Sequence, residues 1–545
     1  MSDKNREPIG KTSAPQREPN TLGQFFFWIK EGVKLNPFDF VVAEHIDNSK
    51  TVGVVDEIFT YTDSESHLTN YISNDLGNPE AQPYVDRVST TVARARVLRN
   101  IKNNKKEEEI YMPIPPEKKV YFADEDEIKK ALGFDEILGE PIPAGVIKQS
   151  NGIKIPVYLD SKYIIGPEGA HVNATGISGL ATKTSYLMFL IYSIYRKIKN
   201  VSIIIFNVKH SDLLHIDESP SDLTDEDREM YEILKLDIKP FKNVTYFLPL
   251  GKNGKPDSEN PPKKYELYAY ALSDVYHSLD LLFAEVPDTN FTIDAFVRYV
   301  KENWKGRGIV FSLDEYGEEG EIVRTWEELK NIDEEILSKS VYRRSGHTTP
   351  PRIKRELTRL TSYSIFVEKR KKEVYLGEAV CKNIKQGHIS VIDIYRVPSI
   401  NWPFIIGDVM RNIEELYHKE HSSKLPHLII FIDELNTFAS ADNSNPVSEQ
   451  IIEIARKGRA RGTALFGAQQ FKSEVNKQVW GNCTLHVIGR TGSSELRTAP
   501  YGELDEYAKN QVFTLRQGEV ILSFKIWRYP IKVIFPKPPY KRPKK

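Results

Sequence analysis

A chain of 545 residues is longer than one compact core usually holds, about 100–200 residues, so two or three domains are expected. Apolar residues make up 40% of it, too many for a disordered chain, and a net charge of −1 means that any basic surface must be local. Two cysteines, Cys381 and Cys483, exclude a disulfide framework and a cysteine-based zinc finger and suit a reducing compartment. No apolar run approaches the ~20 residues of a bilayer span. The polar opening MSDKNREPIGKTSAPQREPN also lacks the apolar stretch of a signal peptide, so a cytoplasmic protein with no membrane partner is predicted.

Residues 1–35 read as a flexible tail. From 36 to about 120 the β-type runs FDFVVAEHI, TVGVVDEIFTYT, VSTTVARARVLRNI and EEIYMPIPP, parted by turn residues, predict a β-rich, barrel-like domain with its boundary near 150. Beyond it, fully apolar short runs (VSIIIFNV, HLIIFIDEL, TALFGAQQ) alternate with helical ones (SYLMFLIYSIYRKI, SEQIIEIARKGRARG). That alternation predicts parallel strands covered on both faces, an α/β domain over 151–257 and 376–534. Between 258 and 375 helical spacing dominates and predicts a mostly helical insertion. The basic, Pro-rich FPKPPYKRPKK at 535–545 reads as a disordered tail.

The stretch HVNATGISGLATKTSYLMFLIYSIYRKI joins an apolar strand, a loop of small residues and a long helix. In a phosphate loop, backbone N–H groups and the positive helix end cradle the phosphates. The lysine reaches the β- and γ-phosphates, and the following hydroxyl ligates magnesium. Gly176, Ser178, Gly179, Leu180, Ala181, Thr182, Lys183, Thr184 and Ser185 are the nucleotide-binding candidates, with Thr184 a metal ligand. The spacing departs from G-x-x-x-x-G-K-[ST], because Ile177 and Thr182 hold the two glycine positions. The alternative is a plain strand–turn–helix with a solvated lysine.

HLIIFIDELNTFA sets Asp433 and Glu434 at the carboxyl end of a buried strand, where two carboxylates are costly without a purpose. Asp433 suits magnesium, and Glu434 suits polarising a water for hydrolysis. The alternative is a carboxylate pair capping the next helix. A third strand ends at Gln469 and Gln470, and an amide at such a tip can orient water or sense a terminal phosphate. The cluster ARKGRARG before it holds Arg456, Lys457, Arg459 and Arg461. These either complement a helix dipole or supply an arginine to the ATP of a neighbouring subunit. Arg459 with Arg456 beside it is the preferred pair, and Arg490 and Arg497 are second choices.

Taken together, GISGLATKTS, LIIFIDELN, ARKGRARGTALFGAQQ and GNCTLHVIGRTGSSELR…LRQGEVILSF resemble the HerA branch of the HerA/FtsK ATPases. The resemblance covers most of the chain and is weaker in the barrel and the insertion. It implies a RecA-like P-loop NTPase domain with a helical insertion, preceded by a small N-terminal β-barrel. It also implies ATP and Mg2+ as cofactors, a homo-oligomer (a hexamer in that family) and double-stranded DNA as the partner of a translocase or helicase. Lys183 and Thr184 match the Walker A pair and Asp433 and Glu434 the Walker B pair. Gln469 matches the family's Thr-Gln strand end, although Ala468 stands in for the threonine. The unusual loop is reminiscent of HerA-like ATPases of anti-phage operons, which sit beside nucleases or other effectors. The chain carries no nuclease signature of its own, so such an effector would be a separate protein. Three function classes follow: a DNA motor, an ATP-binding ring scaffold with slow hydrolysis that recruits an effector, and, least favoured, a metabolic kinase.

Overall fold

The computed structural model describes residues 6–80, 88–102, 109–177, 182–306, 308–312, 321–342, 350–419, 424–442 and 445–542. Six strands, β1 (Gly10–Ser13), β2 (Gln24–Ile29), β3 (Phe40–Glu44), β4 (Lys50–Thr62), β5 (Ser89–Ile101) and β6 (Lys119–Phe122), close a barrel in the order β1-β2-β5-β4-β3-β6. Alternate residues such as Phe25, Phe27, Val41, Ala43, Ala93 and Ala95 fill its interior, as the two-residue period of a strand dictates.

Two expectations are corrected here. Residues 1–35 are not all tail, because β1 and β2 lie within them. Each finds partners on both sides, β1 between β2 and β6, so closure supplies the ladder that a short strand could not keep alone. The run EEIYMPIPP forms no strand over its described part, since Pro113, Pro115 and Pro116 have no N–H to give a ladder. Its place in the barrel is taken by β6.

The second sheet has 12 strands. In chain order these are β7 (Pro141–Lys148), β8 (Lys154–Asp160), β9 (Val172–Thr175), β10 (Val201–Asn207), β11 (Val244–Pro249) and β12 (Glu266–Tyr268). A separate three-stranded sheet follows, β13 (Trp304–Lys305), β14 (Gly308–Val310) and β15 (Ile322–Val323). The large sheet then resumes with β16 (Ile389–Asp393), β17 (His427–Asp433), β18 (Thr463–Gln469), β19 (Leu485–Ile488), β20 (Glu519–Phe524) and β21 (Ile531–Ile534). Its order is β12-β11-β16-β10-β17-β18-β9-β19-β20-β21-β7-β8. From β12 to β19 every pairing is parallel, and β20, β21, β7 and β8 continue it antiparallel.

This is the α/β class that the alternating runs predicted. Along β17, Ile429 and Phe431 enter one core while Leu428, Ile430 and Ile432 enter the other. Both faces are covered, which is why the strand is apolar without interruption. Helix Thr182–Lys197 packs in the first core and is buried on nearly all sides, including Tyr186, Phe189, Leu190 and Tyr192. Helices Trp402–Lys419 and Pro446–Arg461 cover the other face. Strand β7 falls in this sheet rather than in the barrel-like segment that the sequence assigned to 36–150. The stretch 258–375 contains helices such as Thr292–Glu302 and Pro350–Leu360, yet it opens with β12 at the edge of the large sheet.

Barrel and sheet are joined by charge. Buried Asp56 accepts from Arg94 Nε at 2.9 Å and Arg96 Nε at 2.7 Å. Arg94 lies 3.8 Å over the Tyr507 ring, and Arg96 pairs with Asp505 at 3.0 Å. The parallel strand β9 is held from its start by buried His171, whose Nδ1 accepts the Leu465 N–H at 2.9 Å. Burial pushes that imidazole's pKa down to about 4, so it stays neutral and able to accept.

A disordered tail is expected at 535–545; its described part, 535–542, is packed instead, and residues 543–545 lie outside the described residues. Phe535 and Tyr540 are buried, Phe535 making an edge contact with Tyr186 at 5.0 Å. Tyr231 donates to Lys537 O at 2.8 Å. Aromatic burial outweighs the polar composition on which the expectation rested. Tyr540→Ala should therefore lower unfolding stability by about 3 kcal/mol in urea denaturation, whereas a solvated tail would lose less than about 0.5 kcal/mol.

Candidate functional site

Because eight consecutive neighbours in the sheet run parallel, their carboxyl ends meet at one edge, the place where open α/β sheets bind ligands. Gly176 carries the chain out of β9 with φ 153°, and a Cβ there would lie 3.3 Å from Gly489 Cα and 3.4 Å from Arg490 O, so only glycine fits. Ile177 then donates its N–H to Arg490 O at 2.8 Å. Ser178, Gly179, Leu180 and Ala181 lie outside the described residues. Thr182, Lys183, Thr184 and Ser185 form the first turn of helix Thr182–Lys197.

Lys183 is not a solvated lysine. It is 6% exposed, and its ammonium has no hydrogen-bond partner among the described residues. Burial, then the neighbouring Lys209, lower its pKa against the pull of Glu434 and Asp433. An unpaired buried ammonium is costly, and an anion arriving at the loop would relieve that cost. One residue on, Thr184 Oγ1 donates to Asp433 Oδ2 at 2.9 Å, closing a sequence separation of 249 residues. Thr182 and Ser185 turn towards a cavity of about 450 Å³ bordered by Arg516, Gln517 and Phe535.

The acidic pair sits where β17 ends. Asp433 is 3% exposed, and its Oδ1 accepts the Glu434 N–H at 2.9 Å. Glu434 has φ 53° and ψ 47°, a left-handed conformation that β-carbon crowding disfavours and that functional sites often hold. Its side chain caps no helix, which disposes of the capping alternative. Strand β18 lies between β9 and β17, with Ala468 level with Asp433 and Gln469 level with Thr175. Gln469 is fully buried and donates from Nε2 to Asn173 Oδ1 at 2.8 Å, leaving its Oε1 without a partner among the described residues.

The arginine cluster is elsewhere. Helix Pro446–Arg461 ends at the amino end of β18, so Arg459 and Arg461 lie about 20 Å, the length of a seven-residue strand, from the acidic edge. Arg456 and Arg459 are exposed, and Arg459 Nη1 donates to Glu168 O at 3.2 Å. Arg461 pairs with Glu414 at 3.2 Å. Arg490 touches the segment leaving β9 through its backbone, accepting the Ile177 N–H.

Sequence reasoning missed Lys209. It follows β10 by two residues, and its ammonium lies 3.2 Å from Asp433 Oδ1 and 2.5 Å from Glu434 Oε1. Burial works against its charge, yet Asp433 and Glu434 prevail and raise its pKa. A basic residue just past an apolar run was the only signal, and strand order, which sets β10 beside β17, gives it meaning. At the neighbouring tip Asn207 Nδ2 donates to Asp393 Oδ1 at 2.9 Å, and burial raises the Asp393 pKa.

No protein-family model matches the chain, and no curated protein sequence matches it significantly. Solved structures align with parts of it. VirB4 of Thermoanaerobacter pseudethanolicus aligns with 73% of this chain and 96% of its own at 15% identity and a TM-score of 0.44. The bacterial conjugative coupling protein TrwB aligns with 71% and 90% at 12% identity and a TM-score of 0.45. The genome packaging NTPase B204 of Sulfolobus turreted icosahedral virus 2, in complex with ATP-gammaS, aligns with 29% and 72% at 17% identity and a TM-score of 0.23. Among the described residues no helix is long and apolar enough to cross a membrane.

If Lys183 is buried without a partner, its charge costs stability that function alone justifies. Lys183→Met should raise unfolding stability by about 1–3 kcal/mol in urea, measured without nucleotide. A loss of stability would mean that the ammonium is already well paired.

Proposed function

We propose that this chain is an ATP-hydrolysing, Mg2+-dependent oligomeric motor of the HerA type that acts on double-stranded DNA. The carrying observation is the meeting, at one sheet edge, of a buried lysine without a hydrogen-bond partner among the described residues and a Thr184–Asp433 contact between distant segments. The donors suit magnesium: a hydroxyl and a carboxylate are hard oxygen ligands. Among the described residues no three His, Cys, Asp or Glu side chains gather as a cage, so the remaining ligands would be phosphate oxygens and water. When bound, Mg2+ neutralises charge on the phosphates.

The chain's own groups do the rest. Lys183 holds the phosphates from the first helical turn, and the cavity flanking that turn leaves room for the nucleoside. Glu434 accepts the proton of the attacking water, and Oε1 of Gln469 accepts from the same or a neighbouring water. Arg459 and Arg456, exposed and remote from their own site, serve a neighbouring subunit's nucleotide in a closed ring such as a hexamer. With a net charge of −1, duplex binding comes from a local basic lining that tracks phosphates without reading sequence. A separate nuclease or other effector completes the activity, in DNA end processing or anti-phage defence. The slow-hydrolysing scaffold keeps one observation in its favour, the engagement of Glu434 by Lys209.

Duplex DNA of unrelated sequences should raise ATP turnover. Glu434→Gln should keep nucleotide binding while turnover falls about 10²-fold or more, the scale of a lost general base. Both are measured by phosphate release beside equilibrium binding. Wild-type turnover that duplex DNA leaves unchanged favours the scaffold, and full turnover in Glu434→Gln places the base elsewhere.

A further inference from the structure

Asp433 has its two carboxylate oxygens engaged by different partners. Oδ2 accepts from Thr184 at 2.9 Å, on the side of the phosphate loop, while Oδ1 lies 3.2 Å from the Lys209 ammonium. That ammonium is closer still to Glu434, at 2.5 Å from Oε1. Two lysines, 183 and 209, therefore face two carboxylates at one edge, and the formal charges cancel. Lys209 is the movable member. Its side chain is 35% exposed, it stands on the segment after β10 rather than in a helix, and it has a flexible four-carbon stem. Lys183 is buried in the first turn of its helix and cannot leave.

This arrangement conflicts with the task of Glu434. An ammonium 2.5 Å from Oε1 occupies one acceptor site of the carboxylate and holds the group towards Lys209, so Glu434 is not free to turn towards a water until the lysine withdraws. A lysine withdraws only towards a better anion. The group that qualifies is the terminal phosphate of a triphosphate laid from the helix start towards the acidic pair, since a diphosphate ends one group short.

We propose that Lys209 reads the terminal phosphate: it pairs with Glu434 and Asp433 until a γ-phosphate competes for its ammonium, then moves onto that phosphate and frees Glu434 to take the proton of the attacking water. No bond forms or breaks in the handover. One cation changes anionic partner, and the carboxylate is released only when there is a phosphate to cleave. This inference rests on the nucleotide reading given above.

The test compares two nucleotides on full-length Lys209→Met, using equilibrium binding of the non-hydrolysable triphosphate AMPPNP and of ADP, each with Mg2+. AMPPNP should weaken by about tenfold or more, as expected for a lost charge-assisted hydrogen bond, with ADP changed by less than about twofold. Lys209→Arg, which keeps the charge, should recover part of the preference for the triphosphate. Equal weakening of both nucleotides, or none for either, overturns the proposal and leaves Lys209 a structural partner of the acidic pair. Should Lys209→Met melt well below wild type, the Lys209→Arg comparison decides, because a charge that reads the γ-phosphate keeps AMPPNP tighter than ADP. A wild-type chain that binds neither nucleotide fails earlier, and it removes the nucleotide reading along with this one.

Discussion

The hydrogen bond from Thr184 to Asp433 ties the first turn of one helix to the end of a strand 249 residues away, and most of the architecture serves to make it. Asp433 can be presented there only if β17 is central and buried, which requires apolar cover on both faces. Thr184 can meet it only if β9 and β17 run parallel and are separated by a single strand, β18. The antiparallel extension from β20 to β8 lengthens the sheet on one side and packs against the helix that carries Thr184.

Around this bond the molecule keeps charge where burial opposes it. Lys183 is held with its pKa lowered, Glu434 sits in a left-handed conformation, and Gln469 buries a carbonyl oxygen that meets no donor among the described residues. Each of these works against stability, and the apolar layers of the sheet offset them. Features of this kind concentrated at one strand edge mark it as the working part of the chain. The barrel, by contrast, is fastened to the rest of the chain through Arg94 and Arg96, both held by Asp56.

The α/β sheet and the residues that meet at its edge were legible because each is a local pattern. Uninterrupted apolar runs ending in Asp433, Glu434 and Gln469 can be read without knowing their neighbours, and so can Lys183 and Thr184 at the head of a long helix. What escaped depends on pairing. Lys209 looks like any lysine after a strand until β10 is placed beside β17. β1 and β2 look like tail because their partners lie far along the chain at β6 and β5. Tyr540 stands in a basic, proline-rich string, and only the contact with Phe241 at 6.1 Å between ring centres reveals its burial. Composition misled at the two ends for one reason: a few well-placed apolar side chains outweigh many polar ones once a surface exists to receive them.

If phosphates and metal are held between the helix start and the acidic strand, Thr184 and Asp433 act on the nucleotide as one unit. A double-mutant cycle on the equilibrium affinity for Mg2+–ATP, using Thr184→Val, Asp433→Asn and the pair, measures this directly. The account predicts a coupling energy of about 1–3 kcal/mol, with the second substitution costing far less once the first is made. Losses that add to within about 0.3–0.5 kcal/mol would contradict it, showing that the two residues touch without sharing a ligand.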